Sequence, residues 1–180
     1  FTIYEIATRV DPDLMIDIVT EGVITSGEVD YNARFGDLIT DIDGDDIKSI
    51  QVSEIWVPEN PQDEQSLAMQ QKVDLEFAAG DVTLFLFDET NYNRYENRDA
   101  FEPMDRFLDP ASVPEEKKVY DEEGKWMAVK LNGSAALQEL GFQTDDLYAS
   151  FIFLRDEDAD DPEVMARFEN GKAVLEELLK

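Results

Sequence analysis

The chain has 180 residues, 43% hydrophobic and 11% aromatic, and a net charge of −28 from 43 acidic against 15 basic side chains. That is enough apolar material to build a core, so the acidity does not signal disorder; it does oppose binding to nucleic acid and anionic lipid, which needs Lys and Arg to neutralise phosphate. With no Cys and no His, the chain cannot build a thiolate nucleophile, a disulfide, a thiolate or imidazole metal site or a Ser-His-Asp triad.

Taken in chain order, residues 1–9 alternate weakly and predict a short strand or the end of a helix. The chain opens on Phe1 rather than Met, so a removed signal or anchor is expected upstream; no run approaches the roughly 20 apolar residues of a membrane span. Asp11-Pro12-Asp13 predicts a turn, and the β-branched run 14–20 a strand ended by Glu21-Gly22. A helix is predicted from Ser26 or Gly27 through Ile39, then an acidic turn over 41–46 and a second strand over 47–57, broken by Pro58 and Pro61. A long helix should run from Gln62 or Asp63 to Ala79, with Leu67, Val73, Phe77, Met69 and Leu75 inward and Gly80 ending it.

The apolar run 82–87 follows at once and stops at Asp88-Glu89, the pattern of a strand buried on both faces. Short helical pieces are expected over 88–109 and a loop or hairpin approach over 110–124. Residues 126–131 alternate as an edge or half-buried strand does, Ser134 can cap a short helix ending near Gly141, and 147–154 predicts another strand. Pro162 fits the first turn of a final helix. Three early strands joined by helices predict one α/β domain over 1–180, with a mainly parallel central sheet and helices on both faces.

Open α/β sheets bind ligands at the carboxyl ends of their strands. That rule selects Thr20, Glu21, Gly22, residues 58–60, and Asp88, Glu89 and Asn91 as candidate ligand-binding residues; Tyr92, Tyr95 and Phe101, with Asn93 and Arg94, either line the same cleft or pack under a long connection. Paired carboxylates such as Asp88 and Glu89 suit acid–base or cation chemistry; equally, Asp88 can cap the next helix and Glu89 favour its first turn. Asp41, Asp43, Asp45 and Asp46 surround Gly44 but miss the EF-hand pattern: counted from Asp41, Asp46 stands where Gly is needed and Val52 where Glu is needed. No metal, cofactor or catalytic residue is therefore expected.

The stretch 65–109 carries the one family signal. A helix ends in Ala78-Ala79-Gly80-Asp81, a buried strand follows, and Phe101-Glu102-Pro103-Met104-Asp105 comes after it. This resembles one lobe of extracellular solute-binding proteins, over roughly Leu14 to Leu108. The resemblance implies a non-catalytic, extracytoplasmic binding or interaction domain, tethered to the cell surface through an upstream segment, with a small molecule or a protein as partner. Two rival expectations stand beside it: an acidic structural or regulatory domain whose face meets a basic protein, and a carboxylate- and metal-dependent hydrolase.

Overall fold

A computed structural model describes residues 11–180. The expectation for residues 1–9 lies outside the described residues. Leu14–Thr20 forms β1, whose apolar residues are almost all buried. The predicted first helix is reduced to α1, Tyr31–Phe35, with a 3₁₀ turn at Gly36–Leu38. Gly27 has φ of 113°, which no helix accommodates, and the Asp30 carboxylate starts α1 by accepting the Ala33 amide.

Ile50–Trp56 forms β2 and Glu64–Ala79 forms α2. Asp63 caps α2 by accepting the Ser66 amide, and Gly80 ends it in the left-handed region at φ 74°, its N–H bonded to Glu76. The inward stripe of α2 is narrower than predicted. Val73 and Phe77, one turn apart, point inward, whereas Leu67 and Leu75 are 43% and 69% exposed.

Leu84–Phe87 is β3 and Glu89–Tyr95 is α3. Phe101–Glu102 is β4, Lys118–Tyr120 β5, Trp126–Lys130 β6, Ala135–Glu139 α4 and Tyr148–Ile152 β7. Pro162–Leu178 is α5, capped by Asp161 with Pro162 in its first turn.

The sheet has seven strands in the order β2-β1-β3-β7-β6-β5, with β4 also paired to β7. Only β1–β2 and β1–β3 are parallel; β3–β7, β4–β7, β5–β6 and β6–β7 are antiparallel. The expected mainly parallel sheet is therefore corrected to a mixed, mostly antiparallel one. The physical reason lies in what an apolar run reports. Residues 84–87 are buried on both faces, as predicted, but burial fixes the cover above and below a strand and not the direction of its neighbour. The strand next to β3 comes from the far end of the chain, Tyr148–Ile152, running the other way.

Both faces of β3 are covered. Phe85 and Phe87 meet Phe77 of α2 and Tyr95 of α3, with ring centroids 4.7–5.9 Å apart. On the other face, Ile16, Ile18 and Leu86 meet Phe35 of α1, Leu137 of α4 and Val174 and Leu178 of α5. Phe107 closes this side, its ring 4.7 Å from Phe168 and 4.9 Å from Phe151. Each such buried aromatic contributes about 2–3 kcal/mol of transfer free energy.

Candidate functional site

The carboxyl ends of β1, β2 and β3 converge, and the sequence-selected residues there form one hydrogen-bonded network. Asp88 caps α3: its Oδ1 accepts the Asn91 backbone amide at 3.0 Å and the Asn91 Nδ2 at 2.9 Å. Its Oδ2 accepts the Glu21 amide at 2.6 Å, which ties the end of β1 to the start of α3. Asn91, with no exposed surface, donates through Nδ2 to the Val57 carbonyl beyond β2 at 3.0 Å. Its Oδ1 accepts from Arg94 at 2.7 Å, and Arg94 also donates to the carbonyls of Pro58 and Glu59 at 2.7 and 2.8 Å. Glu21 closes the ring by accepting the Glu59 amide and the Thr90 hydroxyl, both at 3.2 Å.

Glu21, Asp88 and Asn91 are thus brought together, with Arg94 as the added member. Glu89 is exposed on the first turn of α3 and takes no part. Tyr92 is buried, its ring stacked on Tyr148 at 4.9 Å and 10°. Burial, then the nearby Glu96 and Asp121 carboxylates, hold its phenol well above the usual range. Chemically, the network is a stitch. Its carboxylates and guanidinium bind backbone groups of three strand ends and so tie those ends together.

A second constellation joins residues far apart in sequence. One oxygen each from Asp13, Asp41 and Asp43 lies within 4.8 Å of the others. Asp13 is buried just before β1 and accepts the Ile42 and Ser49 amides at 2.7 and 2.8 Å. Asp41 accepts the Gly44 and Asp46 amides, both at 2.8 Å, and these hold its carboxyl below the usual range. Asp43 accepts the Asp45 amide at 3.1 Å, which lowers its pKa, but burial and the Asp41 and Asp45 carboxylates outweigh that and push it up. Asp46 adopts φ of 65°, the left-handed step that folds the turn back. The three carboxylates are spaced as cation ligands can be, yet each is already engaged by loop amides. Asp13 was missed in the sequence because only the fold carries residue 13 to the 41–46 turn.

A third feature also escaped the sequence reading. Asp17 sits mid-strand in β1, 1% exposed, opposite Phe85 of β3 and Ser53 of β2. Its Oδ2 has no hydrogen-bond partner among the described residues. Burial first, then Glu76 of α2, raise its pKa to about 7, with Lys72 of α2 opposing. The signal was available: one Asp interrupts an otherwise apolar strand.

At the opposite end of β3 lies a groove of about 380 Å³ lined by Asp74, Phe77, Gly80, Arg98, Phe153 and Arg155. Its guanidinium groups are engaged, Arg98 by Asp74 at 2.7 Å and Arg155 by the Ala79 carbonyl at 3.1 Å. Comparison of the chain with protein-family models, curated proteins and solved structures gives no match.

Proposed function

We propose that this chain is a non-catalytic interaction domain that meets a basic partner through its acidic surface. The observation that supports this most is charge balance. With 43 acidic and 15 basic side chains, one-to-one pairing leaves most carboxylates without a basic partner within the chain. At the same time the polar groups at the strand ends are bound to one another, as Asp88, Asn91 and Arg94 show. The uncompensated carboxylates attract cationic surfaces and speed encounter with them. The extracytoplasmic setting expected from sequence belongs to the same proposal.

Fluorescence anisotropy with labelled lysine–glycine and glutamate–glycine repeat peptides tests the reading. The lysine peptide should bind saturably at physiological salt, more tightly as salt falls, and the glutamate peptide should not bind. Equal binding of the two peptides, or none by the lysine peptide even at low salt, would overturn it.

A further inference from the structure

We propose that the outer edge of β2 accepts an extended, basic segment of a partner protein as an added strand. This rests on the interaction-domain reading above and names its surface. Among the described residues β2 is an edge strand, bonded on one side only, to β1. Its hydrogen-bonding direction follows from its two ends. The Val57 amide donates to Thr20 at 2.8 Å, and the Ser49 carbonyl accepts from Asp13 at 2.9 Å and Leu14 at 3.3 Å. Odd-numbered residues therefore turn their backbone groups toward β1, and even-numbered ones turn theirs outward.

Ile50 agrees with this alternation. Its outward amide donates to the Asn32 side chain of α1 at 2.7 Å. The next outward amides, of Val52, Glu54 and Trp56, have no partner among the described residues. Each of these residues offers a donor and an acceptor to an incoming strand.

Natural edge strands are normally blunted by Lys, Pro, bulges or shortness. The other edge of this sheet is built that way: β5 has three residues, starts with Lys118 and carries a register shift at Val119/Tyr120. β2 lacks a Lys, a Pro and a bulge, and its single charged side chain is Glu54. It runs seven residues as Ile-Gln-Val-Ser-Glu-Ile-Trp, and Trp56 is 46% exposed at its end. Among the described residues nothing pairs with this edge, and its one charge is acidic, so it disfavours an acidic strand and admits a basic one.

Charge selects the occupant. Glu54 stands between Val52 and Trp56 on one face of β2. Its carboxylate accepts only hydroxyls, from Thr25 at 3.2 Å and Tyr31 at 3.5 Å, and among the described residues no Lys or Arg pairs with it. A cationic side chain on the added strand supplies that pair. A second copy of the chain is the poorer fit, because edge-to-edge pairing would bring one −28 molecule against another.

The test uses a labelled peptide of alternating Lys and Val, about eight residues long to match β2. Val52→Pro deletes one outward N–H while leaving the ladder to β1 intact, and edge strands tolerate such a proline. Glu54→Lys keeps the backbone and reverses the charge. The alternating peptide should bind wild-type protein and slow hydrogen exchange at the Val52, Glu54 and Trp56 amides. Both variants should bind at least tenfold more weakly, with circular dichroism spectra like wild type. Equal binding to wild type and both variants would overturn the edge proposal and leave the acidic-surface reading standing. Failure of the alternating and the lysine–glycine peptides alike would overturn both. A wild-type dimer in sedimentation that Val52→Pro makes monomeric would assign the edge to a second copy and overturn the proposal too.

Discussion

Two buried polar side chains in this molecule, the Asn91 amide of α3 and the Asp17 carboxyl of β1, differ in whether their hydrogen bonds are complete. Asn91 has no exposed surface, and its Nδ2 and Oδ1 are bonded to Val57, Asp88 and Arg94. Asp17, in β1, is 1% exposed and has an oxygen with no partner among the described residues. A satisfied polar network holds elements in one arrangement, whereas an unpaired buried carboxyl carries its full desolvation cost whenever it ionises. The first stabilises this fold at any pH near neutrality. The second makes stability depend on pH.

The largest effect should come from breaking the complete network. Asn91→Ala strands the Val57 carbonyl and the Arg94 Nη1, and removes one of the two bonds to Asp88 Oδ1, at the meeting point of three strands. Leaving buried groups unbonded costs about 1–3 kcal/mol each, and water will recover part of it, so a net loss of about 3 kcal/mol is expected. Urea denaturation monitored by Trp fluorescence measures it. A loss below about 1 kcal/mol would show that the network decorates the strand ends rather than holding them.

The next effect should come from Asp17. Its carboxyl titrates near 7 in the folded chain, raised mainly by burial and then by Glu76, against an ordinary value of 3.8. Between those two values the folded state binds a proton that the unfolded state has released. Stability must therefore fall as pH rises through that window, and the cost is complete above the folded pKa. From pH 5 to 7 this amounts to about 2 kcal/mol. In Asp17→Asn the slope between pH 5 and 7 should flatten, as read by urea denaturation at each pH. A variant that keeps the wild-type slope would mean that Asp17 is paired in solution and that the contrast with Asn91 is false.

How far the sequence discloses this pair follows from what each local signal measures. The helix starts at Asp63, Asp88 and Ser134 were legible, because each of these caps acts within three residues of itself. The burial of residues 84–87 was legible as an apolar run. The convergence of Glu21, Asp88 and Asn91 followed from placing them at strand ends, although the network's saturation did not. What stayed hidden depends on long-range pairing. Nothing near residue 87 announces that its neighbour is an antiparallel strand beginning at Tyr148, and nothing near Asp41 announces Asp13. Asp17 is the instructive intermediate. Its oddity in an apolar strand was visible, but only the fold shows that no donor reaches its Oδ2.

The smallest expected effect concerns Asp13, Asp41 and Asp43, where the same comparison gives a negative result. Three carboxylate oxygens within 4.8 Å invite a cation. If completeness of bonding decides what a carboxylate does, this cluster should resemble the Asn91 network rather than Asp17. Asp13 accepts two amides, Asp41 two and Asp43 one, so the backbone already supplies the positive dipoles that a metal would bring. Calcium would also have to draw several oxygen ligands into a site whose oxygens are committed elsewhere. Calorimetric titration with Ca²⁺ should therefore show weak, diffuse heat, the same in wild type and Asp43→Ala. The melting temperature should rise with NaCl, because salt screens the repulsion within a −28 molecule. Ca²⁺ at matched ionic strength should raise it no further. A stoichiometric calcium site lost in Asp43→Ala would show that amide-saturated carboxylates still recruit a cation here, and that bonding completeness fails as the rule separating Asn91 from Asp17.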